Sequence, residues 1–254
     1  MTTTASGRPV DYHDREESLR GYFVPAADEP RPGVLVVPAW LGITDSIRDR
    51  VHKLAASGYA TMAADVFGYP ITDLDAGPRP VVTPFRSDRR YLRRRIRAAL
   101  DALCAQPECD ASRVAAIGYC FGGNAVLELA RDQAPVRGVV SFHGELDTPL
   151  PAFPGDLLAK VLVLTGDDDP VVPFEKVSAF RDEMRTAQAD WEIGIYSGAK
   201  HSFTGEGSLG AERTPEAVLD PQADSRSWQR MLDFFAEVLT AHEFQISPEV
   251  SESP

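Results

Sequence analysis

A chain of 254 residues, 43% hydrophobic and 25% charged, has the length and composition of one large α/β domain, and no apolar run approaches the ~18 residues that a membrane span needs. A net charge of −12 disfavours nucleic acid and anionic membrane as partners. Three cysteines without Cys-x-x-Cys spacing argue against a disulfide framework and a zinc site. The start of the chain, Met1 to Val10, lacks the apolar segment of a signal peptide, so the expectation is a cytoplasmic protein with no metal, no cofactor and no membrane attachment; its oligomeric state is left open.

Residues 1–15 and 245–254 are polar and read as flexible ends around a single domain, 16–244. Within it, apolar runs rich in β-branched residues predict buried strands at Gly33–Val37, Tyr59–Ala63, Val114–Ile117, Gly138–Phe142, Val161–Leu164 and Trp191–Tyr196. Helical spacing falls between them, at Asp45–Ser57, Asp88–Ala105, Gly122–Asp132, Phe174–Ala187 and Ser225–Leu239. Such alternation predicts an α/β fold with a mainly parallel central sheet and helices on both faces, because parallel neighbours need a crossover long enough to hold a helix. Ligands of such sheets bind beyond the carboxyl ends of the strands.

Two stretches stand outside this pattern. Gly68 to Ser87 carries Pro70, Pro78, Pro80 and Pro84 and reads as a long irregular connection, either a functional loop or a surface loop without a role. The run Arg93, Arg94, Arg95 and Arg97 lies on a helical segment, where its simplest reading is a solvated face.

The chemistry is carried by Val114-Ala-Ala-Ile-Gly-Tyr-Cys-Phe-Gly-Gly123, a strand running through Gly-x-Cys-x-Gly into a helix. A nucleophile on so sharp a turn needs flanking residues without side chains, which Gly118, Gly122 and Gly123 supply. At a helix N-terminus the dipole favours thiolate over thiol, which makes Cys120 a usable nucleophile. Cys104, on a helix, and Cys109, in the loop Gln106 to Ser112, read as packed or loop thiols.

On this strand-elbow-helix arrangement the partners follow in the order nucleophile, acid, histidine. His201 and His242 lie late enough in the chain; His201 follows a strand, whereas His242 follows the last helix and faces solvent, so His201 is the base. Thr165-Gly-Asp-Asp-Asp-Pro170 offers three acids just past a strand. Asp169 is favoured because it precedes Pro170 at the turn, with Asp167 and Asp168 as loop or capping groups. His143 ends a strand on the same side but precedes the acid, and reads as a structural or pocket-wall histidine. The oxyanion hole takes the backbone N–H after the nucleophile, Phe121, and one from the loop Val37-Pro-Ala-Trp-Leu-Gly42, where Trp40 is the expected donor.

From about Gly33 to Ala236 the chain resembles the dienelactone hydrolase family of the α/β-hydrolase superfamily. The resemblance rests on Gly118-Tyr-Cys-Phe-Gly-Gly123, Gly166-Asp-Asp-Asp-Pro-Val-Val-Pro173, Gly198-Ala-Lys-His-Ser-Phe203 and Asp220-Pro-Gln-Ala-Asp-Ser-Arg-Ser-Trp228. It implies a thiol nucleophile acting on a small-molecule carboxylic ester or lactone, a triad of Cys120, Asp169 and His201, and oxyanion donors Trp40 and Phe121. Two positions depart from the family pattern. The glutamate that contacts the family's cysteine is Ala39 here, and the arginine four residues after the histidine, which helps hold a substrate carboxylate, is Gly205. Activation then rests on His201 and the helix N-terminus. The expectation is hydrolysis through a thioacyl intermediate; the alternatives are a non-hydrolytic small-molecule-binding protein on the same fold and a redox-sensing Cys120.

Overall fold

A computed structural model describes residues 6–207 and 218–240. Its centre is an eight-stranded sheet of β1 (Arg8–Asp14), β2 (Glu17–Val24), β3 (Arg31–Val37), β4 (Ala60–Ala63), β5 (Cys109–Tyr119), β6 (Gly138–Phe142), β7 (Lys160–Gly166) and β8 (Trp191–Tyr196), in the order β1-β2-β4-β3-β5-β6-β7-β8. The pairs β1–β2 and β2–β4 are antiparallel; the pairs from β4 to β8 are parallel. The helices are α1 (Asp45–Ala56), α2 (Arg79–Ser87), α3 (Arg89–Cys104), α4 (Phe121–Arg131), α5 (Phe174–Thr186) and α6 (Pro221–Val238). This is the mainly parallel α/β sheet, covered on both faces, that the alternation predicts.

The central strands have little polar alternation because both faces are covered: Val34, Leu35, Val36 and Val37 of β3 are all fully buried, as are Val114 to Ile117 of β5. Local signals set the helix starts. Thr44 caps α1 by accepting from Ile47 N–H, Asp88 caps α3, and Asp220 caps α6 ahead of Pro221 in its first turn. The helix α4 is buried along its whole length, so the turn before it is held from every side.

Four sequence expectations need correction. Residues 8–14 are a strand: β1 forms a hairpin with β2, turned at Arg15 with φ +57°, and buries Tyr12 and Asp14. The expected irregular stretch contains α2. Pro80 sits in its first turn, where a missing N–H costs little, and Val81, Val82 and Phe85 pack inward, which leaves 64–78 as the irregular part. Cys109 opens β5 and is buried.

The arginine run is not simply a solvated face either: Arg93, Arg94 and Arg97 are half-buried, and Arg95 goes further in. Arg95 is fully buried, donating to Asp14 at 2.9 Å and the Val66 carbonyl at 2.9 Å and pairing with Glu17, while Arg94 reaches Asp14 at 2.7 Å and Arg93 reaches Glu128 at 2.9 Å. The hairpin brings Asp14 and Glu17 over α3, a juxtaposition that no local pattern announces. Residues 245–254 and His242 lie outside the described residues.

Candidate active site

Strand β5 passes into α4 through one residue, Cys120, with φ +51° and ψ −114°. That is a sparsely populated conformation for a residue with a side chain, and it persists because its neighbours leave no alternative. A Cβ on Gly118 would lie 2.0 Å from the Gly122 carbonyl oxygen, and one on Gly122 would lie 2.1 Å from that of Val37. These collisions explain why the turn is Gly-x-Cys-x-Gly. The register pairs Val37 with Gly118 and Tyr119 with Phe142, so residues leaving β3, β5 and β6 emerge together at the carboxyl edge of the sheet.

Beyond β7 and β8 the chain brings two further groups to the same edge. His201 Nε2 lies 3.2 Å from Cys120 Sγ, and His201 Nδ1 lies 2.9 Å from Asp169 Oδ2. The other oxygen, Asp169 Oδ1, accepts from the N–H groups of Val171 at 2.8 Å and Val172 at 3.2 Å, so the carboxylate is locked and presents one oxygen to the ring. Asp169 and His201 are buried, while Cys120 is partly exposed.

Burial alone drives His201 toward neutrality, but the hydrogen bonds to Asp169 and Cys120 and the charges of the same two groups outweigh it, and its pKa is pushed up to about 10. Burial instead acts unopposed on the other two thiols: it raises Cys104, and it pushes Cys109 up to about 12 with help from Cys104 and Asp110. Asp167 and Asp168 are exposed.

Of the two expected oxyanion donors, Phe121 adjoins Cys120 in the chain and Trp40 lies in the loop that leaves β3 at the same edge of the sheet. Phe121 begins α4, where the first N–H groups have no helical acceptor, and Trp40 follows the end of β3. Neither backbone N–H meets an acceptor among the described residues. The indole of Trp40 donates from Nε1 to the Gly207 carbonyl at 3.0 Å. A cavity of about 150 Å³ bounded by Ala39, Leu41, Ser46, Glu206 and Gly207 lies beside it, and a groove of about 580 Å³ continues along Leu41, Gly42, Phe67, Tyr69 and Ile71.

His143, expected on this side of the sheet, lies against the pair, and Thr204 joins it. His143 is fully buried, with φ +41°; its Nε2 lies 2.7 Å from Thr204 Oγ1 and its ring meets that of His201 edge-on at 5.3 Å. Burial first, then the charge of His201, holds its pKa well below the usual imidazole range, so it stays neutral. Its position at a strand end signalled proximity, but the Thr204 partner had no sequence signal.

Both departures from the family pattern have structural counterparts. Gly205 has φ +83° in a turn closed by its N–H to the Ser202 carbonyl at 2.7 Å, a backbone that disfavours arginine. Beside Ala39 the space is taken by Gly207, whose Cβ would come within 2.9 Å of the alanine methyl. Arg86, at the end of α2, pairs with Glu145 at 2.7 Å. Among the described residues no cluster of metal-binding groups occurs and no helix is long and apolar enough to cross a membrane.

Comparison with known proteins agrees with the fold. The profile of the dienelactone hydrolase family matches residues 19–239. A dienelactone-hydrolase-like promiscuous phosphotriesterase from metagenomic libraries superposes with a TM-score of 0.86 at 40% identity, covering 94% of this chain and all of that one. A Yersinia pestis protein provisionally named a carboxymethylenebutenolidase is 28% identical over 221 residues, 82% of this chain and 79% of its own. A Bradyrhizobium protein provisionally named 2-oxo-3-(5-oxofuran-2-ylidene)propanoate lactonase is 29% identical over 205 residues, 76% of this chain and 82% of its own. The chain is a hydrolase that belongs to the dienelactone hydrolase family.

Proposed function

We propose that the protein hydrolyses small carboxylic esters or lactones through a thioacyl intermediate on Cys120, with His201 as proton carrier and Asp169 as its anchor. The observation that carries this reading is the continuous line Sγ to Nε2 at 3.2 Å and Nδ1 to Oδ2 at 2.9 Å, at the strained turn that exposes the thiol. A histidine raised to about 10 holds its proton at neutral pH, so Nε2 has a proton to give the leaving group without any contribution from a carboxylate at position 39.

In this mechanism the thiolate attacks the carbonyl carbon, and the negative charge that moves onto the carbonyl oxygen is met by the N–H groups of Trp40 and Phe121. Collapse breaks the bond to the alcohol oxygen, which takes the proton from His201 Nε2. From an ester the alcohol leaves; from a lactone it stays on the acyl group. Water then attacks the thioester while giving a proton to His201, and the second collapse releases the carboxylic acid and restores thiolate and imidazolium. The groove along Leu41, Phe67 and Ile71 starts at the loop that carries Trp40, and on this reading it takes the organic part of the substrate.

The test is turnover of an aryl ester and lactone panel by wild type and Cys120→Ala. Loss of turnover in the variant supports the reading, and near-wild-type rates contradict it. An aryl phosphotriester belongs in the panel because the 40% identical relative is described as a promiscuous phosphotriesterase. Hydrolysis of it that also requires Cys120 extends the reading to a second electrophile.

A further inference from the structure

The segment that follows His201 is fastened at every step up to Gly207. Thr204 is held twice, by His143 Nε2 at its hydroxyl and by Arg50 Nη2, which donates to its carbonyl at 2.8 Å. The Glu206 carboxylate, 3% exposed, accepts from Ser46 Oγ at 2.6 Å and from Arg50 Nε at 3.3 Å. Arg50 also donates to Asp224 on α6 at 2.9 Å, and its guanidinium lies 5.8 Å from the ring centre of Tyr119, the residue before Cys120.

A buried ion pair of this kind is a poor source of net stability, since a well-packed apolar set of the same volume does as well. What the pair does supply is position. Glu206 precedes Gly207, whose backbone, at φ +82°, comes so close that a Cβ would lie 2.9 Å from Ala39 Cβ and 3.5 Å from Cys120 Cβ. The Gly207 carbonyl then takes the indole N–H of Trp40 at 3.0 Å. A bonded chain thus runs from Arg50 and Ser46 through Glu206 and Gly207 to Trp40.

We propose that Glu206 and Arg50 are positioning residues for the oxyanion site: by seating Gly207 against Ala39 they fix Trp40, and with it the backbone N–H aimed at the developing oxyanion. The proposal rests on the thioacyl reading above. It assigns the histidine loop a second task besides carrying His201, that of bracing the donor loop after β3. The distinguishing consequence is that the brace acts on a step that needs an oxyanion hole and leaves a step that does not. Alkylation of Cys120 by iodoacetamide is such a step, because no carbonyl charge develops on the protein side.

The experiment measures kcat and KM for 4-nitrophenyl butyrate, and the alkylation rate of Cys120, in wild type, Glu206→Ala, Trp40→Phe and the double variant. Complete loss of a donor costs about 10²–10³-fold in kcat, and a displaced one less, so Glu206→Ala, which removes the acceptor of Ser46 and Arg50, is expected to lower kcat about 10-fold with KM and alkylation within about twofold of wild type. Trp40→Phe keeps the backbone N–H but loses the indole contact, and is expected to act on the same link; the double variant then falls no further than the worse single one.

A Glu206→Ala kcat within about twofold of wild type, a parallel fall in alkylation, or losses that multiply in the double variant each overturn the proposal. Should Glu206→Ala fail to fold, Ser46→Ala, which removes one hydrogen bond from an exposed position, replaces it in the cycle with an expected loss of about threefold. Turnover by wild type that survives full alkylation of Cys120 overturns the thioacyl reading instead, so the two failures are told apart.

Discussion

Replacing Asp169 by asparagine changes one atom's chemistry and leaves the side chain's shape alone, and the structure dictates which way the amide must face. Asp169 Oδ1 accepts two backbone N–H groups, from Val171 and Val172, so the amide oxygen has to occupy that place. The NH2 group is then presented to His201 Nδ1, where the carboxylate oxygen had been at 2.9 Å. Nδ1 must accept rather than donate, which places the ring proton on Nε2, 3.2 Å from the thiol, and leaves no lone pair there to take a proton from sulfur.

The variant also loses the hydrogen bond and the charge that hold the histidine's pKa at about 10, while the burial that opposes protonation remains. A positioned base contributes about 10²–10⁴-fold, and the wrong tautomer removes it, so kcat/KM for an activated aryl ester is expected to drop by about that factor. Iodoacetamide alkylation of Cys120 slows in parallel, because both need the thiolate. Stopped-flow release of 4-nitrophenolate at neutral pH, with circular dichroism to show an unchanged fold, measures the effect. A kcat/KM within about threefold of wild type would refute the argument from hydrogen-bond direction.

The two buried histidines should titrate far apart. His201 is held up near 10 and stays charged through neutral pH, whereas His143 is held down by burial and remains neutral, so proton NMR of the imidazole Cε1–H groups should show neither changing between pH 6 and 8. A midpoint near 6.5 for His201 would contradict its coupling to Asp169 and Cys120. Arg95→Met leaves Asp14 buried beside Arg94 alone and is expected to cost about 3–5 kcal/mol in urea unfolding; a loss below about 1 kcal/mol would show that the internal arginine cluster is not held as described.

What could be read from the sequence follows the range of each interaction. The elbow is local: the glycines around Cys120 are demanded by contacts within a few residues and with one neighbouring strand, so the pattern is visible as written. Asp169 and His201 became visible because the fold orders its catalytic groups along the chain. Arg95 reads as solvated in the sequence because its partner Asp14 lies 81 positions away, in a hairpin whose pattern reads as a flexible end. The same applies to Arg50 and Glu206, 156 positions apart, which look like two ordinary surface charges until β3, α1 and the histidine loop converge. Helix α2 is masked by its prolines, which mark loops in general: Pro80 fits the first helical turn, and Pro84 stands inside the helix.

The central claim, an acyl group carried on Cys120, is tested most directly by mass spectrometry of enzyme acid-quenched during turnover of a slow aryl ester. The account predicts one added acyl group, on the peptide spanning residues 114–131, absent in Cys120→Ala and diminished when the ester is exhausted. Turnover at an undiminished rate with no adduct on that peptide, or with the adduct on another residue, would contradict it.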